Sequence, residues 1–230
     1  MSERRLFYET IAREFDGLMD AYDLQRRLEV VFDELLPQDL TGATVLDLGC
    51  GTGRFSQRAH ERGAQVMSVD ISQALARLAR GRTQALAVAA DASAIPLPSG
   101  RFEIIVSSEM LEHLEQPEQG IREIARVLAP GGRVILTTPN RRWLWLVGLA
   151  TRLKLRPFAG YENFLGFQEL RALFEKYGLQ VETHRGFHPW PFQLAGLRAL
   201  SRQIDRQFGG GRWGAWMINQ AVRARKPAPG

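Results

Sequence analysis

A chain of 230 residues, 45% apolar and 24% charged, is sized for one α/β domain with a full hydrophobic core and is too short for two large ones. Its longest strongly apolar stretch, residues 143–150, falls far short of the roughly 20 residues of a membrane span, and the residues after Met1 lack a signal peptide's apolar segment, so neither feature is expected. The net charge of +5 is dispersed along the chain, with only three lysines among 30 basic residues, which argues against a nucleic-acid-binding block; Cys50 is the single cysteine, which excludes an internal disulfide and suits the cytoplasm.

Residues 1–40 read as a helical cap. Leu24, Leu28, Val31 and Leu35 fall on one helix face, Pro37 stops that helix, and Thr41-Gly42 makes a turn. A short buried strand over 44–48 runs straight into a glycine cluster, and a helix over 53–62 follows, closed by Gly63. Residues 65–69 form a second strand ending on Asp70, and Ser72 caps a helix over 73–80. Residues 85–89 are a third strand ending near Asp91, and 102–107 a fourth. A helix over 117–128 is stopped by Pro130-Gly131-Gly132, and 133–138 is a fifth strand. This alternation is the signature of a parallel sheet covered by helices on both faces.

After residue 140 the alternation is interrupted by an apolar and basic insertion over 141–166. A helix over 167–177 ends at Gly178, and 179–185 is a sixth strand. A helix over 194–208 is expected to turn Leu194, Leu197, Ile204 and Phe208 inward, with Arg198, Arg202 and Arg206 on another face. Three glycines break it, and 215–224 is a seventh strand with Trp216, Ile218 and Val222 on one side. The expected organisation is a cap over 1–40, a core over 41–140, the insertion over 141–166 and completion of the core over 167–230.

The segment Asp47-Leu48-Gly49-Cys50-Gly51-Thr52-Gly53 carries the chemistry. Glycine at alternate positions lets the backbone approach a ligand closely at the carboxyl end of the first strand, where open α/β sheets bind ligands. A dinucleotide site needs a third glycine where this chain has Arg54 or Ser56, and a P-loop needs Gly-Lys-Ser/Thr where it has Gly53-Arg54-Phe55. Neither fits. The loop resembles instead the first motif of the class I S-adenosylmethionine-dependent methyltransferases, an acid followed by three alternating glycines.

That resemblance covers about residues 44–138 and implies a Rossmann-like, seven-stranded, mostly parallel sheet. It implies S-adenosyl-L-methionine as cofactor, held by Asp47, Gly49, Cys50, Gly51 and Gly53. Asp70 matches the acid that binds both ribose hydroxyls, Ile71 would flank the adenine, and Asp91-Ala92 matches the contact to the adenine edge. Ser107 and Ser108 follow the fourth strand, where the family contacts the methionine end. Each has a plainer reading too: Asp70 as a helix cap, Asp91 as the start of a turn, Cys50 as a small packing residue.

Glu109-Met110-Leu111-Glu112-His113-Leu114, Ala129-Pro130-Gly131-Gly132 and Thr137-Thr138-Pro139-Asn140 resemble the subgroup that includes ubiquinone-biosynthesis and other small-molecule methyltransferases. His113 is the first candidate for a general base, since histidine takes a proton near neutral pH, or else it caps its own segment. Glu109 is the second; it could also bind a metal or fix the loop, although no metal is assigned. Glu112, His184 and His188 rank below. The insertion, with Trp143 and Trp145 among leucines and arginines, suits a membrane interface or a cap packed on the N-terminal helices. The expected partner is therefore a small hydrophobic acceptor, quinone-like, phenolic or lipid-linked, methylated on oxygen, with peripheral contact at the inner membrane face as a further expectation. A tRNA or RNA methyltransferase and a non-catalytic cofactor-binding protein are the alternatives.

Overall fold

The computed structural model describes residues 3–152 and 162–228, so Lys154 and Arg156 of the insertion and the end of the C-terminal tail lie outside the described residues. Helices α1 (Glu3–Ile11), α2 (Phe15–Leu18) and α3 (Ala21–Leu28) lead into a π-helical segment at Glu29–Leu35. The chain then runs through β1 (Thr44–Leu48), α4 (Arg54–Glu61), β2 (Gln65–Asp70), α5 (Gln73–Thr83), β3 (Leu86–Ala89), β4 (Phe102–Ser108), α6 (Pro117–Val127) and β5 (Leu128–Pro139). It ends with α7 (Leu144–Arg152), α8 (Phe167–Lys176), β6 (Gln180–Phe187), α9 (Arg198–Phe208) and β7 (Asn219–Arg225).

The seven strands form one sheet in the order β3-β2-β1-β4-β5-β7-β6. All pairings from β3 to β5 are parallel, and β7 runs antiparallel between β5 and β6. The mostly parallel Rossmann-like sheet expected from the sequence is therefore present. Successive strand residues serve opposite faces, as a period of two requires. Leu46, Ile105, Val134 and Leu136 pack with α6 and α8 on one side, while Val45, Val106 and Ile135 pack with Phe32 and Phe55 on the other. Burial on both faces is why these strands read as unbroken apolar runs. The chain winds outward from β1 through β2 to β3, then returns to lay β4 on the other side of β1. That reversal opens a crevice at the carboxyl ends of β1 and β4.

Three expectations need correction. Pro130-Gly131-Gly132 does not separate helix from strand, because β5 begins at Leu128 and its register with β4 shifts between Phe102 and Ile104. A Cβ at Gly132 would lie 2.9 Å from the Glu103 carbonyl, so glycine lets the irregular pair close. The seventh strand starts only at Asn219; Trp216 sits in a short 3-10 turn before it and is exposed.

The third correction concerns α9. Leu200 and Phe208 face outward, 48% and 41% exposed, as do Leu194 and Leu197 just before the helix, while Ile204 is half-buried. The inner face carries Ser201 and Asp205, both buried. Asp205 takes a two-pronged contact from Arg26, with Nη2 to Oδ1 at 2.6 Å and Nε to Oδ2 at 3.1 Å. Arg26 also donates to Glu34 at 2.6 Å and Glu29 at 3.3 Å. Arg202 pairs with Glu29, Arg185 with Glu34, and Arg198 with Asp20. Ion pairs therefore dock α9 on α3 and the π-helical segment, and the leucines are left outside.

Removing one partner of a fully buried pair costs ~3–5 kcal/mol when the other charge is left alone; Arg26 keeps Glu34 and Glu29, which sets the loss toward the low end. Urea unfolding of Asp205→Ala should show a loss of that order. Replacing both charges, Arg26→Met with Asp205→Leu, should recover a large part of it; an Asp205→Ala variant as stable as wild type would contradict the network's role.

Candidate functional site

The glycine loop turns sharply at the top of β1 because its backbone takes left-handed angles. At Gly49, φ is +77° and a Cβ would lie 2.4 Å from Met110 Cγ; at Gly53, φ is +84° and a Cβ would lie 2.8 Å from the Ala79 backbone. The loop is tied to β2. Gly49 and Cys50 donate their N–H groups to the Val69 carbonyl at 2.8 and 3.0 Å, and Gly51 donates to Asp70 Oδ2 at 2.9 Å. The other oxygen of Asp70 accepts from the Ser72 N–H at 2.9 Å, and Ser72 caps α5 as expected. Burial raises the Asp70 carboxyl above its ordinary range.

Beneath the loop, Asp47 is buried and accepts from Ser56 Oγ, which itself contacts Ser68 Oγ at 2.7 Å. Burial pushes the Asp47 carboxyl up to about 7. Ser107 donates to the Leu48 carbonyl at 2.9 Å and so braces β4 against β1. Cys50 is buried, and burial pushes its thiol well above its ordinary value, away from nucleophilic chemistry.

Above the loop lies a cavity of about 500 Å³, within the ~300–1,000 Å³ of small-molecule sites. Of the residues selected from sequence, Gly49, Cys50, Gly51, Asp70, Ile71, Ala92, Ser108, Glu109, Glu112 and His113 line it. Asp47, Gly53, Ser107 and Asp91 do not. Asp91 Oδ1 instead accepts from the Ser93 N–H at 2.8 Å and Ser93 Oγ at 2.7 Å, which closes a local turn. His184 is also remote: it stacks on Phe167 with centroids 3.5 Å apart, bonds Gln220 at 3.0 Å, and burial depresses it to about 4.

The N-terminal helices roof this cavity with Phe7, Tyr8, Ile11, Phe15, Leu18 and Met19. They are fastened from outside. Asp16 accepts from Thr52 and pairs with Arg54 at 2.8 Å and Arg82 at 3.0 Å, while Glu9 accepts from Ser72 Oγ at 2.6 Å.

The end of the cavity beyond β4 is polar and buried. Glu109 has φ +53°, one of three non-glycine residues in the left-handed region among the described residues; another is His188. Glu109 Oε1 accepts from Thr137 at 3.1 Å and Asn219 at 3.3 Å. Burial pushes its carboxyl up to about 7 against the pull of Arg27. Arg27 gives its Nε to Asp23 Oδ2 at 2.9 Å and an Nη1 to Ser108 Oγ at 3.3 Å. Asp23 Oδ1 meets His188 Nε2 at 3.1 Å. Burial alone would raise Asp23, but Arg27 and His188 hold it below the usual carboxylate range.

Glu112 bonds Thr138 at 3.0 Å and is driven well above its ordinary range by burial and by neighbouring Glu109. His113 meets the edge of Tyr8 with centroids 5.7 Å apart and stands 4.0 Å from Glu112. Among the described residues no three side chains converge as a metal site. Asp23 and Arg27 escaped the sequence reading, because an acid and a base four apart on a helix look like a solvated pair.

Comparison with known proteins points the same way. A family model for a methyltransferase domain matches residues 21–184. The ubiquinone biosynthesis O-methyltransferase of Xanthomonas euvesicatoria pv. vesicatoria is 35% identical over 178 residues, which cover 71% of this chain and 73% of that protein. A methyltransferase structure from Thermotoga maritima, described as a possible histamine N-methyltransferase, matches with TM-score 0.73 and 19% identity, over 95% of this chain and 98% of that one. Geranyl diphosphate C-methyltransferase from Streptomyces coelicolor A3(2), solved with S-adenosyl-L-homocysteine, matches with TM-score 0.64 and 18% identity, over 88% and 78%. At these identities the two structures bear on the fold alone.

The buried Asp47 has a consequence for stability. It binds a proton more readily in the folded protein, at about 7, than at its ordinary 3.8, so its stabilising contribution is complete below that lower value and is lost as pH rises through about 7. In denaturant titrations, Asp47→Asn should lose less stability than wild type as the pH is raised across this interval. Parallel curves would show that another group titrates.

Proposed function

Since the chain belongs to the methyltransferase-domain family and is an S-adenosylmethionine-dependent methyltransferase, we propose that it methylates a hydroxyl oxygen on a small hydrophobic molecule. The observation that carries this reading is the meeting, in one cavity, of the glycine loop and a half-buried carboxyl able to take a proton at neutral pH. An apolar roof over a cavity of this size favours a small acceptor over an RNA chain.

The residues fit the cofactor. Gly49 lets the loop turn tightly against Met110 with no Cβ in the way, and Asp70 holds the loop's backbone in place while its carboxylate lines the cavity. In this reading Gly49, Gly51, Asp70, Ile71 and Ala92 hold the cofactor, while Asp47, Ser107 and Asp91 brace the elements around it. Bound S-adenosylmethionine supplies an electrophilic methyl group.

Glu109 takes the proton as the acceptor O–H bond breaks. The acceptor oxygen's electron pair is then available to that methyl group, and Glu109 later releases the proton to water. His113 serves as wall and orienting group. With Glu109 titrating at about 7, kcat/KM should rise with pH through that value and then level off. Glu109→Gln should lower kcat by about 10²–10⁴ while leaving S-adenosylhomocysteine affinity unchanged by calorimetry. An unchanged pH profile in that variant would remove Glu109 from the role.

The acceptor's source is the second part of the proposal. No helix among the described residues is long and apolar enough to cross a membrane. Trp145 and Trp213 are 66% and 68% exposed, Trp216 is exposed under the Arg142 guanidinium at 3.8 Å, and α9 turns its leucines outward. Trp143 stacks near Trp145 and donates to the Trp216 carbonyl at 2.9 Å, which joins the insertion to the turn before β7. Exposed tryptophans with arginines beside them suit an anionic lipid interface. Wild type should co-sediment with vesicles containing an anionic lipid, and Trp145→Glu/Trp213→Glu should not; equal, negligible binding by both would end the membrane reading.

A further inference from the structure

Arg27 is nine-tenths buried, yet it lines the cavity. Two of its five N–H groups are engaged, Nε by Asp23 and one Nη1 hydrogen by Ser108. Among the described residues, Nη2 and the remaining Nη1 hydrogen have no hydrogen-bond partner. Neighbouring Arg26, equally buried, spends its guanidinium on three carboxylates. A buried guanidinium that keeps donors in reserve, beside the exit of β4, is built for a further acceptor of hydrogen bonds.

Resting on the methyl-transfer reading above, we propose that Arg27 is an oxyanion subsite, which binds the methyl acceptor through its ionised oxygen and so selects acidic hydroxyls, phenols or enols, over aliphatic alcohols and amines. The groups facing Arg27 are Asp23 and His188 on one side and Glu109 and Glu112 on the other. Asp23 carries the charge that balances Arg27 while the cavity is empty of acceptor, and His188, held in a left-handed backbone, fixes Asp23 from behind. These two are positioning residues.

The selectivity follows from acidity. A phenolic hydroxyl titrates near ~10, and an opposite charge in contact lowers such a group by about one to three pH units. That brings it toward the range in which Glu109, at about 7, can take its proton. An aliphatic hydroxyl, nearly as weak an acid as water, stays out of reach. An ammonium would meet a fixed positive charge. A carboxylate acceptor would also pair with Arg27, but, already ionised, it gains nothing from Glu109.

The test uses a para-nitrophenol bearing an alkyl chain, whose phenolate absorbs in the visible, added to protein saturated with S-adenosylhomocysteine. With wild type, the bound phenol should titrate about one pH unit or more below the free compound. Arg27→Gln could unfold by leaving Asp23 alone, so the informative variant is Arg27→Gln/Asp23→Asn, which removes both charges. It should bind S-adenosylhomocysteine as wild type does, bind the phenolate about tenfold or more weakly, and show no downward shift. Arg27→Lys, with its charge but not its planar fork, should retain part of the shift. Equal shifts in wild type and the double variant would overturn the assignment of Arg27 while leaving the methyltransferase reading intact. Tighter binding of an alkyl carboxylate than of the phenol would overturn the selectivity. Failure of wild type to bind S-adenosylhomocysteine would overturn the reading on which the subsite rests, and the subsite with it.

Discussion

A guanidinium withdrawn from water must find acceptors, and two adjacent residues of α3 meet that requirement in opposite ways. Arg26 is saturated: Asp205, Glu34 and Glu29 surround it, and through them α9 and the π-helical segment are fixed to α3. Arg27, one residue on, faces the cavity with a single balancing carboxylate. The saturated arginine fixes the helix, and the fixed helix holds the unsaturated one at the exit of β4. Structural and chemical roles are thus divided between neighbours, and the second depends on the first.

The same logic governs the acids. Asp23, Asp47, Glu109 and Glu112 are all withdrawn from solvent, and their proton affinities separate according to partners. Asp23, between Arg27 and His188, stays ionised. Glu112, flanked by another acid, is driven upward. Glu109 sits between these cases, because burial raises it and Arg27 restrains it, which leaves it near neutrality. Pairs of carboxyls pushed apart by their surroundings are how one site holds both a fixed charge and a group ready to exchange a proton.

What could be read from the sequence followed the range of the interactions involved. The strand over 44–48, the glycine loop, Asp70 and the Ser72 cap are local features, each written within a few consecutive residues, and the structure has them where the pattern put them. The Rossmann-like sheet was legible for the same reason. The inward face of α9 was not: a stripe of leucines is ordinarily buried, and only the positions of Asp205 against Arg26 and of Arg202 against Glu29 reverse it. Asp91 illustrates the middle case, since its position after β3 suits a ligand while one oxygen of its carboxylate bonds Ser93 two residues on. Asp23 and Arg27 carried no signal at all, because an ion pair spaced i, i+4 looks the same whether water or a cavity lies beside it.

This asymmetry has a physical origin. The end of the cavity proposed to hold the cofactor is made by one continuous turn and the ends of β2 and β3, so its chemistry is compact in sequence. The end proposed for the acceptor draws on α3 and the exit of β4 through Arg27 and Glu109, held from behind by Thr137, His188 and Asn219 from the end of β5, the residue after β6 and the start of β7. Those residues meet only because the sheet order brings β7 between β5 and β6 and the ion pairs of Arg26 hold α3 against them. A change at any one of these five places reshapes the acceptor pocket without touching the glycine loop. The cofactor cradle can therefore stay constant while the acceptor varies, and the acceptor's chemistry has to be argued from side chains distant in sequence.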